Sequence, residues 1–244
     1  MLRLPAIKSV LISLSLLLGA CSAGQANEEV QDRQSVGLFS SLPIYWGESD
    51  LSTILDGSDQ KDWVRVLLEK RFTITPLDTV EAGAVDGVKR IIMAQPRPLA
   101  PSENVAIDNW VRQGGRLLIF ADPLLTRHSD FALGDRRRPQ DVVLISPILA
   151  RWGLELQFDE GQSAGERQIS AFGQDYPVNL GGHFVLTEGS ECKVSETGLV
   201  AICRIGKGRV TLMADAAILD ADEAHGSSFA SKDPLDSLIV TALD

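Results

Sequence analysis

Asp122 and His128 sit six residues apart in ADPLLTRH, close enough to form an acid/base pair if the chain folds back on itself. Asp122 also precedes Pro123, where a short carboxylate commonly organises a turn, and that structural role is the favoured one. Tyr45, Trp46 and Glu48 (YWGE) with Arg97 suit a sugar or peptide, the rings stacking while charged groups fix polar atoms. Against that stands a plain role in which Tyr45 and Trp46 plug the edge of the core. Asp220, Asp222, Glu223 and His225 make a sparse acidic loop, LDADEAHG, matching neither the EF-hand spacing nor HExxH. It reads as solvated, and no metal or other cofactor is expected. Arg136-Arg137-Arg138 could grip a phosphate or an acidic partner, but such a run is usually an exposed loop.

The three cysteines divide into two groups. Cys21 ends Leu18-Gly19-Ala20-Cys21, which looks like a lipobox behind a basic start (Arg3, Lys8) and the apolar run Val10–Leu18, too short to span a bilayer. Residues 1–20 are therefore expected to be a lipoprotein signal peptide, with Cys21 carrying the lipid, palmitate included. Simple secretory cleavage near Ala26 is the alternative. Ser22 in place of Asp favours the outer membrane over the inner, with the domain facing the periplasm. Cys192 and Cys203, eleven residues apart around a turn, form a natural disulfide in that oxidising compartment. Two buried thiols are the alternative.

Charge sets limits on partners. The formal net charge is −10, falling to about −12 without Arg3 and Lys8, which disfavours nucleic acid and anionic membrane surfaces. At 244 residues the chain holds one α/β domain of ordinary size, expected over 35–244 behind a polar tether at 21–34.

The elements that must position these residues follow from periodicity. Ser35–Ser40, Arg90–Ala94 and Arg116–Ala121 are short apolar runs, as buried parallel strands should be. Phe72–Leu77 alternates and meets Pro76 near an edge. Asp59–Arg71 reads as a helix burying Trp63, Val66 and Leu67. Pro101–Gln113 reads as a second, capped by Ser102, burying Val105, Ile107, Trp110 and Val111, and ended by Gly114-Gly115. Strand, helix, strand over Lys89–Ala121 is a βαβ unit. A further helix is expected from Ser146 to Gly153 and a strand at Leu154–Phe158. Beyond Ala171 the runs shorten into antiparallel hairpins, the clearest turning at Gly206-Lys207-Gly208, and Pro234–Leu243 closes the chain as a helix. In an open parallel sheet ligands lie beyond the carboxyl ends of the strands. That edge gathers Tyr45, Trp46, Glu48, Arg97, Asp122, Arg127, His128 and Asp215 into an expected cleft.

The run IIMAQPRPLAPSENVAIDNWVRQGGRLLIFADPLL, with GKGRVTLMADAAIL after it, resembles the glutamine-amidotransferase-like domain of auxiliary proteins of gliding-motility-type ABC transporters. A similar fold occurs in trimerisation domains of β-galactosidases. The resemblance implies a class I amidotransferase-like (flavodoxin-like) α/β fold: a mostly parallel sheet flanked by helices, with antiparallel hairpins in the C-terminal third. Amidotransferases carry a nucleophilic Cys on the elbow after the strand matching RLLIF. Here Ala121-Asp122-Pro123 stands there, so that chemistry lacks its thiolate. The implied role is a non-enzymatic, lipid-anchored auxiliary or binding component, partnered by an ABC permease or another envelope protein. The alternative is a hydrolase acting on envelope glycan or peptide through Asp122 and His128.

Overall fold

Seven strands form the central sheet, and the direction of each is set by what joins it to the next. The computed structural model describes residues 33–48, 61–220 and 232–244. The lipobox, most of the tether, and Asp222, Glu223 and His225 lie outside those residues. In chain order the sheet strands are β1 (Gln34–Ser40), β2 (Phe72–Pro76), β3 (Arg90–Ala94), β4 (Arg116–Phe120), β9 (Cys192–Val194), β10 (Val200–Ile205) and β11 (Gly208–Met213). Their spatial order is β2-β1-β3-β4-β11-β10-β9. The first five are mutually parallel, and β10 and β9 add antiparallel. Residues 206 and 207 turn β10 into β11, where Gly206 takes φ +60°. A Cβ on Gly208 would lie 2.1 Å from the Val111 carbonyl oxygen, so only glycine lets this strand start against the helix end.

Strand alternation builds two cores. On β3 and β4, Ile92, Ala94, Leu118 and Phe120 face one side, while Ile91, Met93, Leu117 and Ile119 face the other. The first side is covered by helices α1 (Trp63–Glu69) and α5 (Lys232–Leu243). The second is covered by α3 (Pro101–Arg112), α4 (Ser146–Arg151) and the short α2 (Ala82–Val85). Each fully buried Ile, Leu or Phe contributes roughly 1.5–3 kcal/mol. Two small antiparallel sheets complete the unit: β5 (Leu154–Gln157) with β8 (His183–Leu186), and the hairpin β6 (Arg167–Ala171) with β7 (Gln174–Val178). Cys192 and Cys203 are directly opposed across β9 and β10 and are joined by a disulfide. No helix among the described residues is long and apolar enough to cross a membrane.

The helices are where expected, but two faces are rotated. On α1 the buried residues are Val64, Leu67 and Leu68, while Val66 is exposed. On α3 Val105 is exposed and Glu103 and Asp108 are buried in its place. Hydrophobicity misplaced these because each buried carboxylate has its own donors. Glu103 accepts from Thr79 Oγ1, Val80 N, both Arg97 Nη atoms and Ala100 N. The last bond, not a Ser102 cap, closes the start of α3. Arg97 chiefly, together with these other donors, holds Glu103 down to about 2. Asp108 accepts from Arg112, Arg151 and Trp152 Nε1. Burial alone would raise it, but those bonds bring it below the usual carboxylate range.

Candidate functional site at the carboxyl edge of the sheet

The chain crosses from one side of β1 to the other between β2 and β3, so the expected crevice lies beyond the ends of β1 and β3. That space is closed by the protein's own polar groups. Gln95, directly after β3, is fully buried with φ +45°. Its Nε2 donates to the carbonyls of Asp122 and Gln140, and its Oε1 accepts from Asp122 N. Ser41 Oγ donates to the Gln95 carbonyl and accepts from Gln140 N. Loop 121–145 is thereby clamped over the switch point.

Asp122 and Asp215 stand side by side, each two residues past the paired ends Phe120 and Met213 of neighbouring strands. Asp122 is 1% exposed and Asp215 fully buried. Asp122 accepts from Leu124 N (2.9 Å) and Ala216 N (3.2 Å), and Asp215 from Asn179 N (3.1 Å) and Ala217 N. Burial pushes the Asp122 carboxyl up to about 6 against the pull of those amides. Asp215 is raised well above the ordinary range, first by burial and then by the charge of Asp122, with Arg167 opposing. The segment 179–182 closes over Asp215, and a Cβ on Gly181 would lie 2.6 Å from its Oδ2. Leu180 in that strap takes φ +56°, a strain of order 1–3 kcal/mol.

His128 does not join Asp122. Its side chain is 81% exposed and lies 3.6 Å from Asp130. No hydrogen bond among the described residues links it to Asp122, whose oxygens face backbone amides. The acid/base alternative is not formed, and Asp122 has the favoured turn-organising role: six residues of loop carry His128 outward while Asp122 turns inward to hold the chain.

The remaining expected cleft residues separate in the same way. Arg97 is bound bidentately to Glu103, donates to Asp78 O and lies 4.9 Å from the Phe39 ring centroid. Arg127 reaches Asp62 (3.4 Å), Leu219 O and Asp220 (4.0 Å). Neither guanidinium is available to a ligand in the way their spacing suggested. Glu48 Oε2 accepts from Asp130 N and Ser129 Oγ, while its Oε1 is shielded from solvent and has no partner among the described residues. Tyr45 packs on the core beneath the Arg65 guanidinium, 4.2 Å from its ring centroid. Trp46 meets Tyr45 edge-on at 4.8 Å and is itself 74% exposed. Tyr45 is thus a plug and Trp46 is not. Of Arg136–Arg138, Arg137 pairs with Asp135 and stacks on Phe131, and Arg138 bonds the Phe131 carbonyl. Ser41, Gln95 and Gln140 were missed; Ser41 and Gln95 carry the signal of a polar residue directly after a buried strand, whereas Gln140, deep in the loop after β4, carries none. An open cleft of about 420 Å³ lies elsewhere, between the β6–β7 turn and residues 194–196, and none of the expected residues lines it.

No protein-family model matches the chain, and no curated protein does. Among solved structures, a cytoplasmic protein from Salmonella typhimurium is similar over 86% of this chain and all of its own, at 11% identity and a TM-score of 0.51. An exo-β-1,4-mannosidase from an Opitutaceae bacterium is similar over 87% of this chain at 16% identity and a TM-score of 0.50. This chain spans only 36% of that enzyme. A ThuA-like protein from Bacteroides uniformis aligns at 10% identity and a TM-score of 0.45, over 86% of this chain and 90% of its own. The fold is a mixed α/β one, a mostly parallel sheet flanked by helices with antiparallel hairpins. The likeness concerns the fold alone.

Proposed function

We propose that this protein is a non-catalytic, lipid-anchored envelope component that serves an ABC-type transport system through binding. The observation that carries this reading is the state of the elbow after β4. Asp122 stands where an amidotransferase would expose its nucleophile, and it is 1% exposed with both oxygens bound to backbone amides. The carboxyl edge of the sheet is spent on holding loops rather than on presenting a reactive group. Trp46, exposed on a rigid Tyr45–Arg65 base, is the natural contact residue at that edge. The resemblance to transporter auxiliaries supplies the class of partner, and the Leu18–Cys21 lipobox supplies the anchor.

Purification of the tagged lipoprotein from detergent-solubilised membranes tests the reading. An ABC permease should co-purify, and Trp46→Ala should reduce its recovery. Recovery of the lipoprotein alone under mild detergent sinks the transport role. A hydrolase working through Asp122 would require the clamp of Ser41, Gln95 and Gln140 to open, and nothing in the geometry favours that.

A further inference from the structure

The strand directions that gather carboxylates at one edge gather cations at the other. Arg90, Arg116 and Arg209 occupy paired positions across β3, β4 and β11, so they form a row at the amino edge of the parallel sheet. All three lie on the α5 side by strand alternation, where Arg90 Nε donates to Leu243 O and Arg209 Nη1 to Thr241 O. The Arg116 side chain has no hydrogen bond or ion pair among the described residues, while its backbone N–H donates to the Lys89 carbonyl. Lys207, on the β10–β11 turn, extends the row, and its amide donates to the Arg112 carbonyl. Arg112 and Arg151 both bind Asp108 Oδ2 through Nε, which fixes two guanidinium groups beside that turn.

The acids of this edge are partly cancelled. Asp108 is buried beneath its two arginines, and Asp236 is held bidentately by Arg71. Glu191, near Arg112, and Asp244, near Arg71, remain, together with exposed Asp86. Among the described residues cations outnumber acids here, in a chain whose formal charge is −10, while Glu48, Asp122, Asp130 and Asp215 gather at the opposite edge. Like charge concentrated on one face acts locally, because charges more than a Debye length of about 8 Å away are largely screened.

β1 enters the domain at this same basic edge, with Gln34 paired to Phe72 at the start of β2. Arg33 lies only twelve positions beyond Cys21, with eleven residues between them, a reach of at most about 40 Å. We propose that the amino edge of the sheet, built on Arg90, Arg116, Arg209 and Lys207, docks on a bilayer leaflet carrying anionic headgroups and leaves the Trp46 edge facing away from the membrane. This rests on the anchor at Cys21 for its biological setting. The attraction itself belongs to the folded domain, since each Lys or Arg near such a surface favours docking by about five-fold.

The test uses the mature chain without its acyl group, coupled through Cys21 to maleimide lipid in vesicles. The other two cysteines are consumed in the disulfide. Amine acetylation of Lys89 and Lys207, read by mass spectrometry, is compared on phosphatidylcholine vesicles with and without phosphatidylglycerol. Both lysines should be protected on the anionic vesicles and not on the neutral ones, and high salt should remove the protection. Arg204, exposed on β10 directly opposite Arg209, adds to the same edge, and Arg116→Gln with Arg204→Gln should lower the docked-to-free ratio about 25-fold, with the thermal melt recorded alongside. Equal labelling on the two vesicle types overturns the proposal, as does protection that survives in a folded double variant. The intact mass of the membrane-extracted protein reports separately on the acyl group, so an unmodified Cys21 would remove the anchor and leave the vesicle result standing.

Discussion

Two buried carboxyls with raised pKa make an unusual demand on stability as the pH changes. An unfolded Asp loses its proton near pH 3.8, whereas folded Asp122 keeps its own to about pH 6. Between those values the folded state binds more protons than the unfolded one, so its contribution is fully present below pH 3.8 and is lost as pH rises through 6. At about 1.4 kcal/mol per unit, Asp122 alone removes roughly 3 kcal/mol by pH 7. Asp215 is raised in the same direction by burial and by Asp122, so it adds to the loss. Glu103 works oppositely but in a separate window, its stabilisation being present above pH 4.5 and lost as pH falls toward 2. Urea unfolding followed by tryptophan fluorescence should therefore show a midpoint that falls from pH 4.5 to 7.5 at constant slope. Asp122→Asn sharpens the test. Its amide would face the Ala216 N–H with a donor, costing about 1–3 kcal/mol at every pH, while removing the charge that also burdens Asp215. The variant should be the less stable protein at pH 5, and the gap should close or reverse by pH 7.5. A wild-type midpoint that climbs over this range refutes the reasoning, and so does a variant with an undiminished pH slope.

Other perturbations separate scaffold from contact surface. Glu103→Gln strips the partner from Arg97 and weakens bonds to Thr79 and Val80, so it should cost about 2–4 kcal/mol by urea titration, the half-exposed Arg97 moderating the loss. The same variant should flatten the acid limb below pH 4.5. Replacing Cys192 and Cys203 together by Ala opens an eleven-residue loop and frees the edge strand β9, for a loss of about 2–3 kcal/mol in thermal unfolding. Trp46→Ala should change stability by less than about 0.5 kcal/mol, because the ring is 74% exposed. A larger drop would show that Trp46 belongs to the core rather than to a contact surface.

Periodicity and turn residues determined the local elements of this protein. The apolar runs RIIMA and RLLIF, the Gly114-Gly115 stop and the glycines flanking Lys207 act through their nearest neighbours, which is why strands, helices and the last hairpin are legible without a fold. Spacing also marked Cys192 with Cys203, and position after a strand marked Asp122 and Asp215 separately, as residues worth following. The sequence could not show that Asp122 and Asp215 are neighbours, since their pairing depends on β11 lying beside β4 across 93 residues of chain. Nor could it show that Val105 is exposed while Glu103 is buried, because a buried carboxylate depends on donors brought from Thr79, Val80 and Arg97. The net charge of −10 argued against an anionic surface, yet it is an average over the whole chain. Only the strand order and register put Arg90, Arg116 and Arg209 in one row, and a charged surface acts on the face presented to it, not on the sum.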